Sequence, residues 1–435
     1  MQAAASRWTD ACLARLFVFP EKSGKSNLNP MNDISDKIND AESDTASHRR
    51  VWLCHTLGRF RPSGGDNGGD SPTSAGGATE SAGAGWLRQL THRAMACEFQ
   101  LLFPLRRGES SVSSTADIEA GMAVFVRIDQ LEEQLSYFRV TSELSQINAV
   151  ASEMEFPVEE GLFGLIERAL ELSRATDGAV DITAAPLSEL WRTARAAERI
   201  PTPAEIAETR RSVGFQYVEL DPDRHTIRFT RPGMRMDLGC IGKGFTLDET
   251  AGLLTEAELP DFLYHGGYSS ILARGGSASS GNSGGNSGTG TNDQTAPSET
   301  GGGGWRVGLR DPMRPERRIA ELRLCDRAIG TSGAQLQFFR YRGRRYGHLL
   351  DPRTGYPPES RRAVTVVAPD ATLADGLSTA FYVLSAAKIA EFCEKNADHY
   401  PGLAVLLVDT DRDGEREILE YGFRPGELRL ATEEE

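Results

Sequence analysis

An α+β fold in a single large domain is the fold class that this sequence predicts, and three observations support the prediction. Helix-like and strand-like segments are interspersed from about residue 89 onward. In the helix-like segments apolar residues recur at steps of three and four, whereas the strand-like segments are short apolar runs between turn residues. The 435-residue chain contains no internal repeat, and its length accommodates one domain of roughly 340 residues.

Two tracts of low complexity set the limits of this domain. Residues 1–88 are predicted to be largely disordered, because stretches such as RPSGGDNGGDSPTSAGGATESAGAG cannot bury enough apolar surface to offset chain entropy. A second tract, residues 275–304, is predicted to be a disordered, Gly- and Ser-rich surface insertion between the strand-like segments SSILARG and WRVGLR. The predicted domain therefore covers residues 89–428, with the insertion inside it.

The elements of the domain follow from periodicity and from turn residues. HRAMACEFQLLFP predicts a strand, YVELDPDRHTIRFT a hairpin, and FTLDETAGLLTEA a helix. Further along, RAVTVVAP and GLAVLLVDTD predict strands on either side of LADGLSTAFYVLSAAKIAEFCEKN, which predicts one or two helices. Two more helices are indicated by apolar residues on one face: Met122, Phe125, Ile128, Leu131 and Leu135 for the first, and Leu162, Ile166, Ala169 and Leu172 for the second, which is expected to end near Gly178.

Charge and cysteine spacing exclude several classes of function. The net charge of -14 argues against nucleic-acid binding and against attraction to an anionic membrane surface. The six cysteines include no C-x-x-C pair, which argues against zinc and thioredoxin-like sites. No apolar run reaches the roughly 18 residues of a membrane span. The apolar stretch ACLARLFVFP is interrupted by Arg15 and is short for a signal peptide, so the compartment stays open.

The stretch MRMDLGCIGKGFTLD predicts a glycine-rich turn between a strand that ends at Asp237 and a following helix. Gly239, Gly242 and Gly244 free the backbone there, and Lys243 supplies a point charge. Backbone groups at such a turn can approach a phosphate, which the N-terminus of the helix also favours. A purely structural turn is the alternative, because the motif is neither a Walker A loop nor a dinucleotide-binding fingerprint.

The stretch LADGLSTAFYVL carries a candidate metal site. Asp375 and Thr379 are four residues apart and therefore share a helix face. A carboxylate and a hydroxyl on one face suit Mg²⁺, which prefers oxygen ligands. The alternative is an acidic residue that stabilises the N-terminal end of a helix through its dipole.

The stretch HLLDPRTGYP carries a candidate base. His348 precedes Asp351 and a Pro-Arg-Thr-Gly turn that Gly355 suits. A histidine beside a phosphate site can accept a proton near neutral pH. An ordinary turn at the end of a strand is the alternative interpretation.

Other polar motifs have weaker interpretations. Asp181 follows a helix-ending glycine, Phe138 is an aromatic residue suited to stack on a planar ring, and Ser142 is predicted to cap a short helix. DTDRDGEREILE matches a calcium-loop pattern, but its flanks are not helical, so it predicts the turn of a β-hairpin. GTSGA lacks the G-x-S-x-G frame of a nucleophilic serine.

Taken in order along the chain, these blocks resemble those of the ApbE family of FAD:protein FMN transferases. The blocks are AMACEF, SELSQIN, TDGAVDITAAPLSELW, DLGCIGKGFTLD, YHGGYSSI, WRVGLRDP, GTSGA, HLLDPRTGYP and ADGLSTAFYVL, and they span about residues 90–425. The N-terminal tract and the Gly-rich insertion lie outside the resemblance. It implies a single α+β domain related to the T-fold, with mixed sheets and packed helices.

The resemblance also implies an activity and a site. Members of the family bind FAD and Mg²⁺, cleave the FAD pyrophosphate, and attach FMN through a phosphoester to a threonine of a target flavoprotein, releasing AMP. By resemblance, His348 is the base that activates the acceptor threonine. The residues that would line the FAD are Met95, Phe138, Ala179, Val180, Asp181, Asp237, Lys243 and Leu350. The implied Mg²⁺ ligands are the side chains of Asp375 and Thr379 and the backbone carbonyls of Cys240 and Ser378.

The implied partners are FAD and a target flavoprotein with an acceptor threonine, either a membrane redox subunit or a secreted FMN-binding domain; nucleic acid is not among them. Family members are often membrane-anchored or periplasmic. The pattern departs from the family at His265 and Tyr268, where members often carry Asn and Asp. Two alternative functions are a Mg²⁺-dependent FAD pyrophosphatase, which would release FMN and AMP, and a non-catalytic flavin-binding protein. Retention of the polar residues of the implied site argues against the latter.

Overall fold

The computed structural model describes residues 53–57, 87–104, 115–276, 304–312, 314, 316–333, 338–358, 362–410 and 416–432. Most of the predicted N-terminal tail and of the predicted insertion lies outside these residues. Two parts of the predicted tail are strands, however: Leu53–Leu57, and a strand that begins at Leu87, two residues before the predicted start of the domain. These two strands pair with each other antiparallel.

Seventeen strands are present in the described part of the chain. They are β1 (Leu53–Leu57), β2 (Leu87–Ala94), β3 (Cys97–Pro104), β4 (Phe156–Pro157), β5 (Val218–Asp221), β6 (Thr226–Phe229), β7 (Phe262–Gly266), β8 (Ser270–Arg274), β9 (Trp305–Arg310), β10 (Arg318–Leu324), β11 (Arg327–Gly333), β12 (Phe338–Tyr341), β13 (Arg344–Gly347), β14 (Ala363–Ala368), β15 (Ala404–Thr410), β16 (Arg416–Tyr421) and β17 (Leu428–Leu430).

These strands form one large sheet and three small ones. The large sheet has the order β1-β2-β3-β7-β8-β11-β14-β15-β16, and the small ones are β17-β10-β9, β4-β6-β5 and the hairpin β12-β13. Every pair of described strands is antiparallel, whereas mixed sheets were expected. The parallel contact that the structure does contain is an isolated bridge between Ala184 and Arg235.

Eight α-helices lie in the described part of the chain. They are α1 (Thr115–Leu135), α2 (Glu143–Val150), α3 (Glu160–Ala175), α4 (Ala185–Ala196), α5 (Pro203–Thr209), α6 (Gly242–Glu256), α7 (Ala371–Val383) and α8 (Ala386–Lys395). The predicted α+β class is confirmed, as are the helices predicted from apolar periodicity. The Ser142 side chain caps α2 as predicted, by accepting a hydrogen bond from the Ser145 amide. The calcium-like motif begins in the last two residues of β15 and ends in β16, which pair antiparallel as predicted for a hairpin, and its residues 411–415 lie outside the described residues.

Two local predictions were wrong. HRAMACEFQLLFP forms two strands rather than one, because the chain reverses at Met95 and Ala96, whose φ angles are 50° and 56°. Asp237 does not end a strand; it lies in an extended segment before α6, where its amide donates to the Ile182 carbonyl at 2.8 Å. Gly242 and Gly244 belong to the helix itself rather than to a turn before it.

The large sheet is buried on both faces at its interior strand β14. Neighbouring residues of β14 show this: Val366 packs in the core that includes α1, α3, α6 and α7, and Val367 packs in the core beneath β9 and β10. Because successive side chains of a strand point to opposite faces, both positions must be apolar. This arrangement accounts for the apolar residues at neighbouring positions of RAVTVVAP, among which Thr365 is also buried.

Glycines let α7 lie against its neighbours at backbone distance. A Cβ atom at Gly244 of α6 would come within 2.1 Å of the Ala371 carbonyl oxygen, and one at Gly330 of β11 within 2.1 Å of the Ala374 carbonyl oxygen. The first turn of α7 is therefore wedged between α6 and the large sheet with no room for side chains at these two positions.

Gly244→Ala is expected to destabilise the protein by about 1–3 kcal/mol, because α6 and α7 must separate to admit the methyl group. Gly252→Ala in the same helix is the matched control, since nothing lies within 4 Å of a Cβ atom built there. It should instead stabilise the protein by about 0.5–1 kcal/mol through helix propensity. Urea unfolding would measure both, and equal effects of the two substitutions would contradict the packing argument.

Candidate functional site

The candidate site is built around Asp375 in α7. The helix begins at Ala371 because the Asp370 side chain accepts a hydrogen bond from the Leu373 amide. Asp248 of α6 adds a second cap, accepting from the amides of Ala371 at 2.9 Å and Thr372 at 2.8 Å. These two carboxylates satisfy amides that a helix leaves without intrahelical partners.

Both oxygens of the Asp375 carboxylate accept hydrogen bonds in the protein interior. The Ser270 hydroxyl of β8 donates to Oδ1 at 2.6 Å, and the Gly244 amide of α6 donates to Oδ2 at 2.8 Å. Asp375 is only 5% exposed. Burial raises the pKa of Asp375, while the nearby Lys243 ammonium and these two donors lower it.

Hydroxyl groups continue the site along α7. The Thr379 hydroxyl donates to the Asp375 carbonyl at 3.3 Å, and the Ser378 hydroxyl donates to the same carbonyl at 3.0 Å. Ser332 of β11 lies 2.9 Å from the Ser378 hydroxyl and 3.4 Å from the Thr379 hydroxyl. Asp375 and Thr379 therefore lie on neighbouring turns of α7, where the Thr379 hydroxyl contacts the Asp375 backbone carbonyl and Ser332 of the large sheet.

Lys243, at the start of α6, lies near Asp237 and Cys240, two further residues of the predicted site. Burial raises the pKa of Asp237, and the Gly239 amide, Arg192 and Lys243 oppose that shift. Burial likewise raises the pKa of the Cys240 thiol to about 12, with the Asp237 and Asp375 carboxylates adding to the effect. In the absence of a bound cation the Cys240 thiol is therefore protonated at neutral pH.

The Asp181 carboxylate accepts hydrogen bonds within the protein rather than facing an open cavity. Its Oδ1 accepts from the Thr183 amide at 2.8 Å and the Thr183 hydroxyl at 2.7 Å, and its Oδ2 accepts from the Phe215 amide at 2.9 Å. The preceding residues Ala179 and Val180 are buried in the main core. The loop is joined to the Asp237 segment, as described above, through the Ile182 carbonyl.

The remaining predicted flavin-lining residues lie around this cluster. Met95 is half-buried, with its Sδ 3.5 Å from the Thr246 hydroxyl of α6. Phe138 is 75% exposed, and the Arg192 guanidinium lies 5.4 Å from its ring centroid. The Arg192 charge also lowers the pKa of the Asp237 carboxyl, so the exposed Phe138 ring lies beside the charged groups of the site.

His348 and Leu350 lie on the loop that follows β13. His348 is exposed, and Leu350 packs against a small apolar cluster that includes Trp191 of α4. The loop is a tight turn, as one interpretation of the sequence expected: the Gly355 amide donates to the Asp351 carbonyl at 2.7 Å, and Gly355 has a φ of 80°. The Trp191 indole donates to the Gly355 carbonyl at 2.8 Å, which fixes the loop to α4.

Of the two residues that depart from the family pattern, His265 lies near the end of β7 and Tyr268 in the turn between β7 and β8. His265 is buried, with Nε2 3.0 Å from the Gln100 side-chain oxygen, and burial lowers its pKa to about 4. Its imidazole is therefore neutral at physiological pH. Tyr268 is exposed and stacks on His265 with the ring centroids 4.6 Å apart. This pair precedes Ser270, which holds Asp375.

Ser270 and Ser332 were missed as site residues. Both lie in quoted motifs, YHGGYSSI and GTSGA, but nothing local in those motifs shows that their hydroxyls meet α7. The pairing of β8 with β11 sets Ser270 opposite Gly330, and this register places both hydroxyls under the helix.

The charge and donor types of this cluster limit its chemistry. Among the described residues, no group of three or more His, Cys, Asp and Glu side chains is placed to hold a metal. The predicted Mg²⁺ ligands are of a different kind, since they include one carboxylate and three uncharged oxygens.

No helix in the described ranges has the length and apolarity to cross a membrane.

Solved structures with the same fold show which class of protein this is. The chain superposes on an ApbE protein from Thermotoga maritima with a TM-score of 0.61 and 25% identity, covering 76% of this chain and 96% of the other. The flavin transferase ApbE from Vibrio cholerae matches with the same TM-score and 25% identity over 78% of this chain and 98% of the other. Together with the sequence relatives below, they place the protein in the transferase class of enzymes.

The sequence relatives narrow the class to a family. The profile of the ApbE family matches residues 97–406. A FAD:protein FMN transferase from Salmonella typhimurium is 30% identical over 295 residues, which are 66% of this chain and 76% of the relative. One from Haemophilus influenzae is 29% identical over 290 residues, 65% of this chain and 75% of the relative. The chain belongs to the ApbE family.

Proposed function

We propose that the protein is a FAD:protein FMN transferase that uses Mg²⁺ to move FMN from FAD to a threonine of a target flavoprotein. The threonine hydroxyl attacks the phosphorus of the FMN half, the pyrophosphate P–O bond breaks, and AMP leaves. The observation that carries the proposal is the buried Asp375 carboxylate, which Ser270 and Gly244 hold beside Lys243. Phosphoryl transfer depends mainly on positioning and on charge neutralisation, which this arrangement suits.

The residues at α7 fit a magnesium ion. Its ligands would be the side chains of Asp375 and Thr379 and the carbonyl oxygens of Cys240 and Ser378, all of them the oxygen donors that Mg²⁺ prefers. Burial leaves the Asp375 charge poorly solvated and raises the pKa of this carboxyl, and a cation would compensate that charge. When bound, the ion would neutralise charge on the pyrophosphate as the bond breaks.

The flavin nucleotide would lie across the exposed side of the cluster. Lys243 and the start of α6 would meet the phosphates, since a lysine and the N-terminal end of a helix both favour anions. Phe138 offers an exposed aromatic face to a planar ring. The other residues proposed to line the nucleotide are Met95, Ala179, Val180, Asp181, Asp237 and Leu350. Of these, Asp181 would act through the loop that its hydrogen bonds hold in shape.

His348 is proposed as the base that takes the proton from the acceptor threonine. A threonine hydroxyl is a weak nucleophile until its proton is removed. The exposed position of His348 on a loop anchored to α4 makes it accessible to a hydroxyl carried by a second protein. Membrane redox subunits and secreted FMN-binding domains are the targets that we propose.

The test is to incubate the full chain with FAD, MgCl₂ and an FMN-binding domain that carries a threonine in a Ser/Thr-Gly-Ala-Ser/Thr setting. Mass spectrometry should find the domain heavier by one FMN less one water, with an equal amount of AMP released and no product in excess EDTA. Free FMN and AMP with an unmodified domain would instead identify a FAD pyrophosphatase. No turnover of FAD under any of these conditions would refute both functions.

Ser270→Ala is expected to lower the transfer rate by about tenfold to a hundredfold and to raise the Mg²⁺ concentration needed for half the maximal rate. The substitution removes a hydrogen bond to a charged group, which is typically worth about 1.5–3 kcal/mol. Ser269→Ala is the matched control, because it removes a neighbouring hydroxyl that lies 3.4 Å from Ser270 rather than on Asp375. A Ser270→Ala variant with wild-type Mg²⁺ dependence would show that the hydroxyl does not position the carboxylate.

A further inference from the structure

A hairpin of unusual charge lies directly before the candidate base. It consists of β12, β13 and the turn between them, residues 338–347, and is called the arginine hairpin below. Its sequence FFRYRGRRYG contains four arginines and four aromatic residues, in a chain whose net charge is -14. The local charge of the hairpin is therefore opposite in sign to that of the protein as a whole.

One face of the arginine hairpin anchors it to the fold. Phe339 lies opposite Tyr346 in the strand register, with the two rings stacked at 5.3 Å. Both rings contact Trp191 of α4, at centroid distances of 6.2 Å and 5.6 Å. The same indole holds the loop that carries His348, so the hairpin and that loop share one support.

The other face concentrates positive charge. Arg340 lies directly opposite Arg345, and their guanidinium groups lie 5.9 Å and 3.8 Å from the Phe338 ring centroid. Like charges directly opposite each other destabilise a strand pair, and stacking on an aromatic ring offsets only part of that cost. The pairing therefore places two guanidinium groups beside one aromatic ring on this face of the hairpin.

Two of the arginines are well placed to meet a partner. Arg340 and Arg342 are exposed, and Arg342 lies at the turn with its guanidinium 5.3 Å from the Tyr341 ring centroid. Within the described ranges, neither of these two arginines forms an ion pair with a carboxylate. The hairpin therefore offers guanidinium groups toward solvent, on aromatic supports that restrict their motion.

We propose that the arginine hairpin is the docking surface for the acceptor protein and that it recognises acidic side chains near the acceptor threonine. The inference rests on the function proposed above. The last residue of β13, Gly347, is followed at once by the exposed His348, so a hydroxyl that reaches His348 arrives beside the hairpin. Complementary charge beside a binding site mainly accelerates the association of two proteins and orients them as they meet.

An acidic protein surface fits the hairpin better than a nucleic acid or a membrane does. A long polyanion or an anionic bilayer would face the acidic remainder of the chain as well as the hairpin. A few carboxylates on a protein can meet the hairpin alone, because screening limits other charges to a range of about 8–10 Å. Arginine is also suited to bidentate binding of carboxylates.

Binding of two fluorescent peptides to the full chain, without FAD, tests the proposal. Both peptides carry Ser-Gly-Ala-Thr, flanked by glutamates in one and by the same number of lysines in the other. We expect the glutamate peptide to bind at least about tenfold more tightly at about 50 mM NaCl, with the advantage shrinking at about 300 mM. Absence of any preference for the glutamate peptide would overturn the proposal.

The double variant Arg340→Glu, Arg342→Glu should reverse this preference, weakening the glutamate peptide about tenfold or more and strengthening the lysine peptide. The matched control is Arg228→Glu, Arg323→Glu, which makes the same change of net charge at exposed strand positions away from the hairpin. Equal effects of the two double variants would overturn the proposal, because they would reflect net charge alone.

Three further measurements distinguish other roles for the hairpin. The wild type could bind vesicles of phosphatidylcholine with phosphatidylserine, or a DNA duplex, more tightly than the glutamate peptide. If the hairpin variant then lost that binding, the partner would be a membrane or a nucleic acid rather than a protein. Weaker FAD binding by the same variant would assign the arginines to the nucleotide. Peptide binding as expected, with no flavin transfer to any acceptor, would support the docking surface and refute the proposed function alone.

Discussion

Asp375→Asn is expected to lower flavin transfer by about a thousandfold or more while leaving the fold at least as stable as before. The substitution keeps the shape of the side chain and removes its charge. Its amide can still accept from the Gly244 amide and donate to the Ser270 hydroxyl, because that hydroxyl can rotate to accept. A loss of about 4 kcal/mol of transition-state stabilisation corresponds to the expected drop in rate.

The effect of this substitution on stability should depend on pH. Because burial raises the pKa of Asp375, the folded protein binds the proton of this carboxyl more tightly than the unfolded chain does. The wild type is therefore favoured by this group below the unfolded pKa of about 4, and that advantage is lost as the pH rises through this value toward the folded pKa. Asparagine does not titrate, so the stability of the variant relative to the wild type should increase over the same interval.

Urea unfolding at several pH values, together with transfer assays, would measure both effects. Asp398→Asn is the control, since Asp398 is exposed in the turn after α8 and should affect neither activity nor the pH dependence. Wild-type transfer rates in the Asp375→Asn variant would remove the support for the metal site.

His348→Ala is expected to leave FAD binding intact and to lower transfer to the acceptor threonine by about a hundredfold to ten-thousandfold. General-base catalysis typically contributes a factor of this size. Because His348 is exposed and the turn after it is held by backbone bonds and by Trp191, its removal should not disturb the fold. Fluorescence titration would follow FAD binding, and mass spectrometry of the acceptor domain would follow transfer.

His399→Ala is a suitable comparison for this experiment. His399 is also exposed and contacts an aromatic ring, Tyr400, but it lies after α8, away from the candidate site. The two variants should differ in transfer and agree in FAD binding. Unimpaired transfer by His348→Ala would leave the deprotonation of the threonine to another group.

The sequence predicted the fold well where local patterns decide it. The helix α1 was predicted because its apolar residues recur at three- and four-residue steps, and β14 because it is a short, largely apolar run between turn residues. The reversal at Met95 and Ala96 was not predicted, since neither residue is a usual turn former. Their positive φ angles are imposed by the pairing of β2 with β3 rather than by local preference.

The candidate site was predictable only in part. Asp375 and Thr379 share a helix, so their four-residue spacing was enough to place them on neighbouring turns. Ser270 meets Asp375 across 105 residues, and Ser332 meets Ser378 across 46, through a strand order that no local motif reveals. Asp181 was predicted to line the flavin, and sequence patterns gave no sign that its oxygens accept hydrogen bonds from Thr183 and from the distant Phe215 amide.

The wedged position of α7 has a consequence for the timing of catalysis. With carbonyls of its first turn against Gly244 and Gly330, the helix cannot slide or rotate without breaking backbone contacts. We infer that Asp375 and the groups that hold it are in place before substrates bind. Any structural change on binding the two substrates then occurs around His348. Hydrogen exchange should then be slowest in the amides of α7 and should respond to an acceptor protein mainly in residues 338–358.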